Sequence, residues 1–600
     1  MSTPGYHGCY LRVDVTSGES QRIAIDESAL RNYLGGSGLG VYLLLREGAA
    51  TADPLSPEAP LAFVYSPLVG SPLTTSAKFA VVGRSPLTHR INDSLSSSHF
   101  AIAGKRTGCD ALLVVGRAKE PSILIVDDGQ ARLEPAGALW GLDCPAAELQ
   151  LRARLGADYQ VAVIGPAGER QVRFATISHD GRHAGRGGSG AVLGAKNIKA
   201  IAVRGTQRTA WHSPAELVAL AKQLSEKSFG PATAKYRELG TATNLLVFNR
   251  LGALPTRNFQ QGTFAGAEAL SPEQMVLGRE KTRASCAACT IGCEHIYGLR
   301  TTGEKSAGVR MEYESLFALG PLCNVGDADT VLAAARRCDE LGLDTISTGG
   351  TIAFAMECVE RGLLDEPWLQ FGDGPSLLRA IEAIGRREGL GNLAAEGSRR
   401  MALVIGKDAI AFAPQVKGLE IPGYEPRALQ TMALGFAVGS RGADHNRSGA
   451  YEVDFSESTD RRRPGLEAAH AAVETEDRAA LMDSLILCKF LRGVFVDFFA
   501  EASEMLNLVT GWNTTPAELR QTARRIVTAK KHFNVLAGWK PGEDTLPARF
   551  FNNPLPGDPA ATMTPAGLQA LIEAYNTARG WTSDGYPSVE QLSGLGEVVP

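Results

Sequence analysis

Up to about residue 205 the apolar positions come in short runs separated by Gly, Pro and Ser. Tyr10-Leu-Arg-Val-Asp-Val, Ala62-Phe-Val-Tyr, Ala111-Leu-Leu-Val-Val, Ser122-Ile-Leu-Ile-Val, Val161-Ala-Val-Ile and Ala200-Ile-Ala-Val are examples. Runs of this length bounded by turn residues predict β-strands. Few of the intervening stretches could hold a helix, so a mixed sheet region is expected rather than a parallel doubly wound one. Near Trp211 the period changes. Ser213-Pro-Ala-Glu216 reads as a helix start, with the serine as N-cap and the glutamate at the capping-box position. Beyond it, segments 214–226, 327–341, 350–362, 376–387, 476–507 and 515–531 carry apolar residues at three- and four-residue intervals and predict helices. A Pro/Gly-rich passage from Phe412 to Pro426 divides them. The fold class is therefore α+β: a β-rich domain over 1–207, then two mainly α-helical domains over 208–410 and 411–600.

Composition narrows the class. The 600 residues are 44% hydrophobic and 21% charged, with a net charge of −4 and no dominant basic run. That excludes long-range attraction to nucleic acid or to an anionic membrane surface. No stretch approaches the roughly 18 apolar residues of a membrane span. The opening Met-Ser-Thr-Pro-Gly-Tyr-His-Gly lacks the basic and apolar regions of a secretory signal, so a cytoplasmic protein is expected. Ten cysteines in such a length are too few for a disulfide framework. Ample apolar material exists for several cores.

The cysteines are informative in another way. Cys286, Cys289 and Cys293 form Cys-x2-Cys-x3-Cys, and Cys488 is a fourth candidate far downstream. Four thiolates suit a cubane iron–sulfur cluster, which moves one electron at a time. Zinc is the alternative, although closed zinc sites more often use two matched pairs of ligands. The other six, Cys9, Cys109, Cys144, Cys323, Cys338 and Cys358, are taken as small buried apolar residues. Beside the fourth thiol lies a second signal. Asp339-Glu-Leu-Gly-Leu-Asp344 and Asp483-Ser-Leu-Ile-Leu-Cys488 share an opening Asp, apolar third and fifth places, and a key residue five positions on. They read either as two related half-sites whose aspartates accept from pterin ring N–H groups, or as unrelated helix ends with solvated acids.

Together these motifs resemble the aldehyde ferredoxin oxidoreductase family of tungsten-pterin enzymes, whose pattern is Cys-x2-Cys-x3-Cys, Asp-x-x-Gly-Leu-Asp and Asp-x-x-x-Leu-Cys in that order. Ser85-Pro-Leu-Thr, Gly187 through Ala200, Tyr313-Glu-Ser-Leu, Val416-Lys-Gly-Leu-Glu, Tyr424-Glu-Pro-Arg-Ala, Arg441-Gly-Ala-Asp-His445, Leu546-Pro-Ala-Arg-Phe and Tyr575 through Trp581 extend the likeness over essentially the full chain. The resemblance implies a β-domain platform carrying two molybdopterin-type cofactors whose dithiolene sulfurs hold one tungsten, or molybdenum, without a protein ligand. It places Asp339, Gly342, Leu343 and Asp344 at one pterin, Asp483 and Leu487 at the other, and a [4Fe–4S] cluster on Cys286, Cys289, Cys293 and Cys488. It also implies Mg2+ between the cofactor phosphates, and ferredoxin or an iron–sulfur subunit as electron acceptor. A homo- or hetero-oligomer is expected.

Arg186-Gly187-Gly188-Ser-Gly is the most glycine-dense turn, suited to bringing backbone N–H groups and an arginine close to phosphate. Gly35-Gly-Ser-Gly-Leu-Gly reads as a β-turn leading into a helix near Val41. Two departures from the family stand out. Lys78 replaces the arginine that relatives place between pterin and cluster, keeping charge without the planar fork. Ser96-Ser-Ser98 replaces a Gly-Gly turn, and Leu95 stands where relatives often have Asn. Glu314 and His445 match the glutamate and histidine that relatives place beside the metal, with Glu312 a competitor for the first role. A carboxylate there can activate water and a histidine can relay the second proton. Tyr424 matches a tyrosine that hydrogen-bonds substrate oxygen. The expected reaction is aldehyde plus water to carboxylic acid. The alternatives are reduction of an activated aromatic ring or of a carboxylic acid, and a non-enzymatic iron–sulfur or zinc electron-transfer module.

Overall fold

The computed structural model describes residues 3–300, 308–551 and 553–596. Its N-terminal part holds twelve strands: β1 (Cys9–Asp14), β2 (Glu19–Ala24), β3 (Leu61–Val64), β4 (Lys78–Arg84), β5 (Ile91–Ser97), β6 (Ala111–Val115), β7 (Ser122–Asp127), β8 (Gln130–Pro135), β9 (Gln160–Val163), β10 (Ile177–His179), β11 (Arg182–Ala184) and β12 (Ile198–Arg204). They form two six-stranded sheets, ordered β2-β1-β6-β3-β4-β5 and β11-β10-β9-β12-β7-β8. Both are mixed, as the scarcity of crossover helices predicts. The β1–β6 and β7–β12 pairs run parallel and the others antiparallel.

The pleat decides what each face does. Phe79 and Val81 of β4 point between the sheets, where they pack with Phe63, Leu112, Leu124 and Ile201. Ala80 and Val82 point the other way and join the core under the helices. Helix Gly36–Arg46 lies on that second face. It starts at Gly36, earlier than the predicted helix near Val41, because its glycines are needed inside it. A Cβ at Gly40 would come within 2.5 Å of Val82, and one at Gly38 within 2.3 Å of the Tyr33 carbonyl. This closeness lets the helix sit between the sheet and helices Glu467–Leu485 and Pro516–Leu536.

Helices dominate after residue 213, including Pro214–Ser228, Ala328–Leu341, Thr345–Glu360 and Gly374–Arg386. Ser213 is an N-cap by position, but its side chain makes no capping bond, so the expected capping box does not form. The predicted helix over 476–507 is two helices, Glu467–Leu485 and Phe498–Thr510. Ile486 ends the first with a left-handed φ of 63°, which apolar spacing cannot reveal. The Pro/Gly passage after Phe412 is buried through the interior, where it carries Tyr424.

Candidate functional site

Cys286, Cys289 and Cys293 occupy the loop between strands Lys281–Ala284 and Glu294–Tyr297. Cys488 follows the break at Ile486. A loop of the sheet platform, 71–77, joins the two. The Thr75 N–H donates to the Ala288 carbonyl at 2.6 Å, and the Thr75 hydroxyl accepts from the Cys488 N–H at 3.3 Å. Thr74 Oγ1 accepts from the Thr290 N–H at 3.0 Å. Thr75 holds φ at 67° to do this, an uncommon conformation for a β-branched residue.

All four thiols are half-buried and lie within electrostatic reach of one another. A hydrogen bond between Cys286 and Cys289 draws the Cys286 thiol down to about 4 against the effect of burial, with Arg182 and Lys78 assisting. The same bond raises the Cys289 thiol, and burial raises that of Cys293. Burial opposes the Lys78 ammonium, yet sulfur charge at Cys488, Cys286 and Cys289 outweighs it and raises its pKa. Among the described residues no three His, Cys, Asp or Glu side chains close on one point as ligands of a single ion do. Neighbouring thiols of this kind fit separate irons, each held by one sulfur.

The two acidic motifs share one local turn. Gly342 and Ile486, fourth in their motifs, both end a helix with positive φ, 75° and 63°. The next residue in each donates back five positions, Leu343 N–H to the Cys338 carbonyl and Leu487 N–H to that of Met482, both at 2.8 Å. This is the Schellman pattern, and it delivers Asp344 and Cys488 in extended conformation. The opening acids differ. Asp483 is buried between Arg447 at 3.1 Å and Lys489 at 3.0 Å, whereas Asp339 is partly exposed and faces His183 Nε2 at 3.1 Å. Asp344 caps helix Thr345–Glu360 and meets Arg186 at 3.4 Å.

Arg186 is buried, donating to the Ala443 carbonyl at 2.7 Å and to the Glu420 carbonyl. The glycines beside it are explained by protein atoms: a Cβ on Gly187 would meet Asn92 at 2.0 Å, and one on Gly188 the Arg173 carbonyl at 2.0 Å. On β5, Leu95 pairs with Ala80 and Ser97 with Lys78, whereas Ser96 pairs with Phe79. Lys78 and Leu95 thus share the helix-facing side, and the Ser96 side chain points between the sheets, away from it.

That side also carries Asp93, which sequence reasoning missed. It binds Lys530 at 2.7 Å, Arg447 at 3.0 Å and the Ser37 hydroxyl at 2.5 Å. Burial would raise its pKa, but Arg447, Lys530 and Arg441 hold it well below the carboxylate range. Arg441 in turn binds Asp444. The only sequence signal was Arg441-Gly-Ala-Asp-His445, noted without roles for its charged members.

Glu314 and His445, far apart in sequence, meet in space. Helix Tyr313–Leu319 presents the glutamate, whose Oε2 accepts from the Gly423 N–H at 3.0 Å. Its Oε1 has no hydrogen-bond partner and stands 3.6 Å from His445 Nδ1, which has none either. Desolvation pushes Glu314 up to about 8, opposed by the Gly423 bond, and pulls His445 down to about 3. Tyr424 stacks on the imidazole at 4.9 Å and on Tyr451 at 5.3 Å. Glu312 is engaged elsewhere: Thr241 donates to it, and Arg310, Arg182 and Cys286 surround it. It stands on the cysteine side, apart from the Glu314–His445 pair.

A buried carboxylate–imidazole pair and, apart from it, four cysteines whose loops meet at Thr75 are the two centres of the structure. The model for the N-terminal domain of aldehyde ferredoxin oxidoreductase matches residues 10–205, and that for its domains 2 and 3 matches 218–596. The chain is 36% identical over 616 residues to the tungsten-containing aldehyde ferredoxin oxidoreductase of Pyrococcus furiosus, covering 99% of both. The corresponding Thermococcus kodakarensis protein is 35% identical, again over 99% of each. The aliphatic sulfonate oxidoreductase, WOR-like subunit, of Pyrococcus furiosus is 29% identical over 98% of this chain and 97% of its own. A solved active-site complex BamBC of benzoyl coenzyme A reductase with 1,5-dienoyl-CoA shares the fold, with TM-score 0.84, 23% identity and coverage of 100% and 98%. The chain belongs to the aldehyde ferredoxin oxidoreductase family. Membership makes it an oxidoreductase and implies a tungsten pterin cofactor. Glu314 Oε1 and His445 Nδ1 are buried without a hydrogen-bond partner and leave room for a polar group, while the arginines nearby are already paired, Arg186 with Asp344, Arg441 with Asp444 and Arg447 with Asp93 and Asp483. No helix among the described residues is long and apolar enough to cross a membrane.

Proposed function

We propose that this enzyme oxidises an aldehyde with water to the carboxylic acid, and that electrons leave singly through a [4Fe–4S] cluster to ferredoxin or an iron–sulfur partner subunit. The observation that carries the reading is the unpartnered Glu314–His445 pair in its aromatic box. The bis-pterin tungsten centre, when bound, supplies the acceptor for the electron pair. Arg186, Asp344 and Asp339 would hold one pterin and Asp483 with Leu487 the other, while Cys286, Cys289, Cys293 and Cys488 would hold the cluster.

Converting R–CHO and H2O to R–COOH releases two electrons and two protons. Ionised Glu314 takes the first proton from water at Oε1, the oxygen that nothing else engages. His445 stays neutral; its Nε2 accepts from the Asn446 amide at 2.9 Å, so Nδ1 carries the ring proton toward Glu314 Oε1 and orients that oxygen, while the second proton leaves to bulk water. Tyr424 donates its hydroxyl hydrogen bond to the substrate oxygen, and its burial keeps the phenol protonated. The surrounding aromatic rings exclude water and accept an apolar aldehyde substituent.

An anaerobic assay of several aldehydes with a viologen dye tests this, run on protein whose tungsten and iron are measured. Dye reduction is expected. Metal-loaded protein that reduces an aromatic thioester and ignores every aldehyde would overturn it.

A further inference from the structure

The thiol loop reaches the surface at one place. Ser285, Ala288 and Thr290 are exposed while the cysteines between them are half-buried. Thr290 Oγ1 lies 2.6 Å from Ser228 Oγ, and the next residue, Phe229, is 55% exposed at the end of helix Pro214–Ser228. A solitary exposed phenylalanine needs no explanation, but this one has a cationic surround. The Arg237 guanidinium lies 4.2 Å from its ring centroid. Exposed Arg283 donates to the Arg237 carbonyl at 3.3 Å, and its side chain passes beside Gly292, next to Cys293. Exposed Lys235 sits over Tyr236 at 4.8 Å. Tyr236 stacks on Phe490 at 4.2 Å, two residues beyond Cys488.

Lys235 and Arg283 are exposed, and the three cations are seated on aromatic rings or a carbonyl rather than on a carboxylate. Acids on this side include Glu226, Glu238, Glu273, which faces Lys281, and Glu501, 3.6 Å from Lys227; the cations Lys227, Lys235, Arg237, Lys281 and Arg283 outnumber them. A locally positive rim is distinctive on a chain of net charge −4. We propose that the surface formed by Phe229, Lys235, Arg237 and Arg283 is where a small acidic one-electron carrier protein docks to collect electrons from the thiol-held cluster. The inference rests on the electron-exit half of the proposed function. Each aldehyde yields two electrons, so two oxidised carriers are each reduced by one electron in succession. Complementary charge orients such a partner and speeds its arrival, and the exposed aromatic ring is the anchor kind of residue that interfaces favour.

Binding of an acidic ferredoxin to the holoenzyme, measured by calorimetry without aldehyde, tests the surface independently of the reaction. Arg237→Glu with Arg283→Glu should weaken the dissociation constant at least tenfold at low salt and flatten its salt dependence. Arg237→Gln with Arg283→Gln should weaken it less, and viologen-coupled turnover and iron content should be unchanged in both. Unchanged ferredoxin affinity in the double reversal would overturn the proposal, as would iron loss in the Gln pair. So would a change in oligomeric state with ferredoxin affinity intact, which would make the face a contact between copies. Failure of aldehydes to reduce the dye counts against the substrate reading alone.

Discussion

Glu314 gives the sharpest test. Its carboxyl is raised from 4.5 to about 8, with desolvation the largest cause. As a base it acts only when ionised, so at pH 6 about one molecule in a hundred is competent. The value of kcat/KM for aldehyde oxidation should climb about 50-fold between pH 6 and pH 8 and about twofold more before it levels near pH 10. His445, held near 3 by burial, remains neutral across that window and adds no second limb. Glu314→Gln should lower the plateau by about 10²–10⁴ and leave the residual rate flat with pH. Viologen-coupled initial rates in a constant-ionic-strength buffer series provide the assay. The same shift has a stability sign. A folded-state pKa above the unfolded one favours the folded protein fully below about 4.5, and that advantage is lost as pH rises through about 8. The swing is on the order of 5 kcal/mol; because desolvation of the carboxylate causes it, Glu314→Gln should match wild type at low pH and be the more stable protein above about pH 8. A wild-type profile flat from pH 6 to 9, or a limb persisting in the Gln variant, would refute the reasoning.

Two further perturbations follow from the geometry. Cys488→Ala should abolish the visible absorbance of the anaerobic protein and lower its iron content, and an intact four-iron signal would reject ligation by that sulfur. Asp93→Asn takes the carboxylate from buried Lys530 and one of two from Arg447, which keeps Asp483. It should cost about 3–5 kcal/mol, read as a lower urea midpoint with the platform's strand content retained in the native state; a loss below about 1 kcal/mol would show that Asp483 and Asp444 suffice for those cations.

What was legible in the sequence divides by the range of the interaction that decides it. Short apolar runs bounded by turn residues found β1, β3, β6, β7, β9 and β12 because a few adjacent residues set each strand. The helix break at Ile486 escaped, since its αL backbone is imposed by docking of the 486–488 turn on Ser66 and Thr75 and leaves no mark in spacing. The same reason governs the glycines. Gly187 and Gly188 suggested a phosphate cradle, yet the space their missing side chains clear is filled by Asn92 and Arg173, contacts spanning the fold. Asp93 was invisible for the opposite cause: a lone acid in a strand carries no pattern, and its importance comes from three cations more than 340 residues away, Arg441 from a loop and Arg447 and Lys530 from helices. The acidic repeat shows where local and distant information meet. Its period was plain, but the shared feature is a left-handed fourth residue that glycine supplies freely at 342 and that isoleucine adopts at 486 only under tertiary constraint. Two helix-ending turns can therefore be equivalent in backbone while one is written in sequence and the other is enforced by packing.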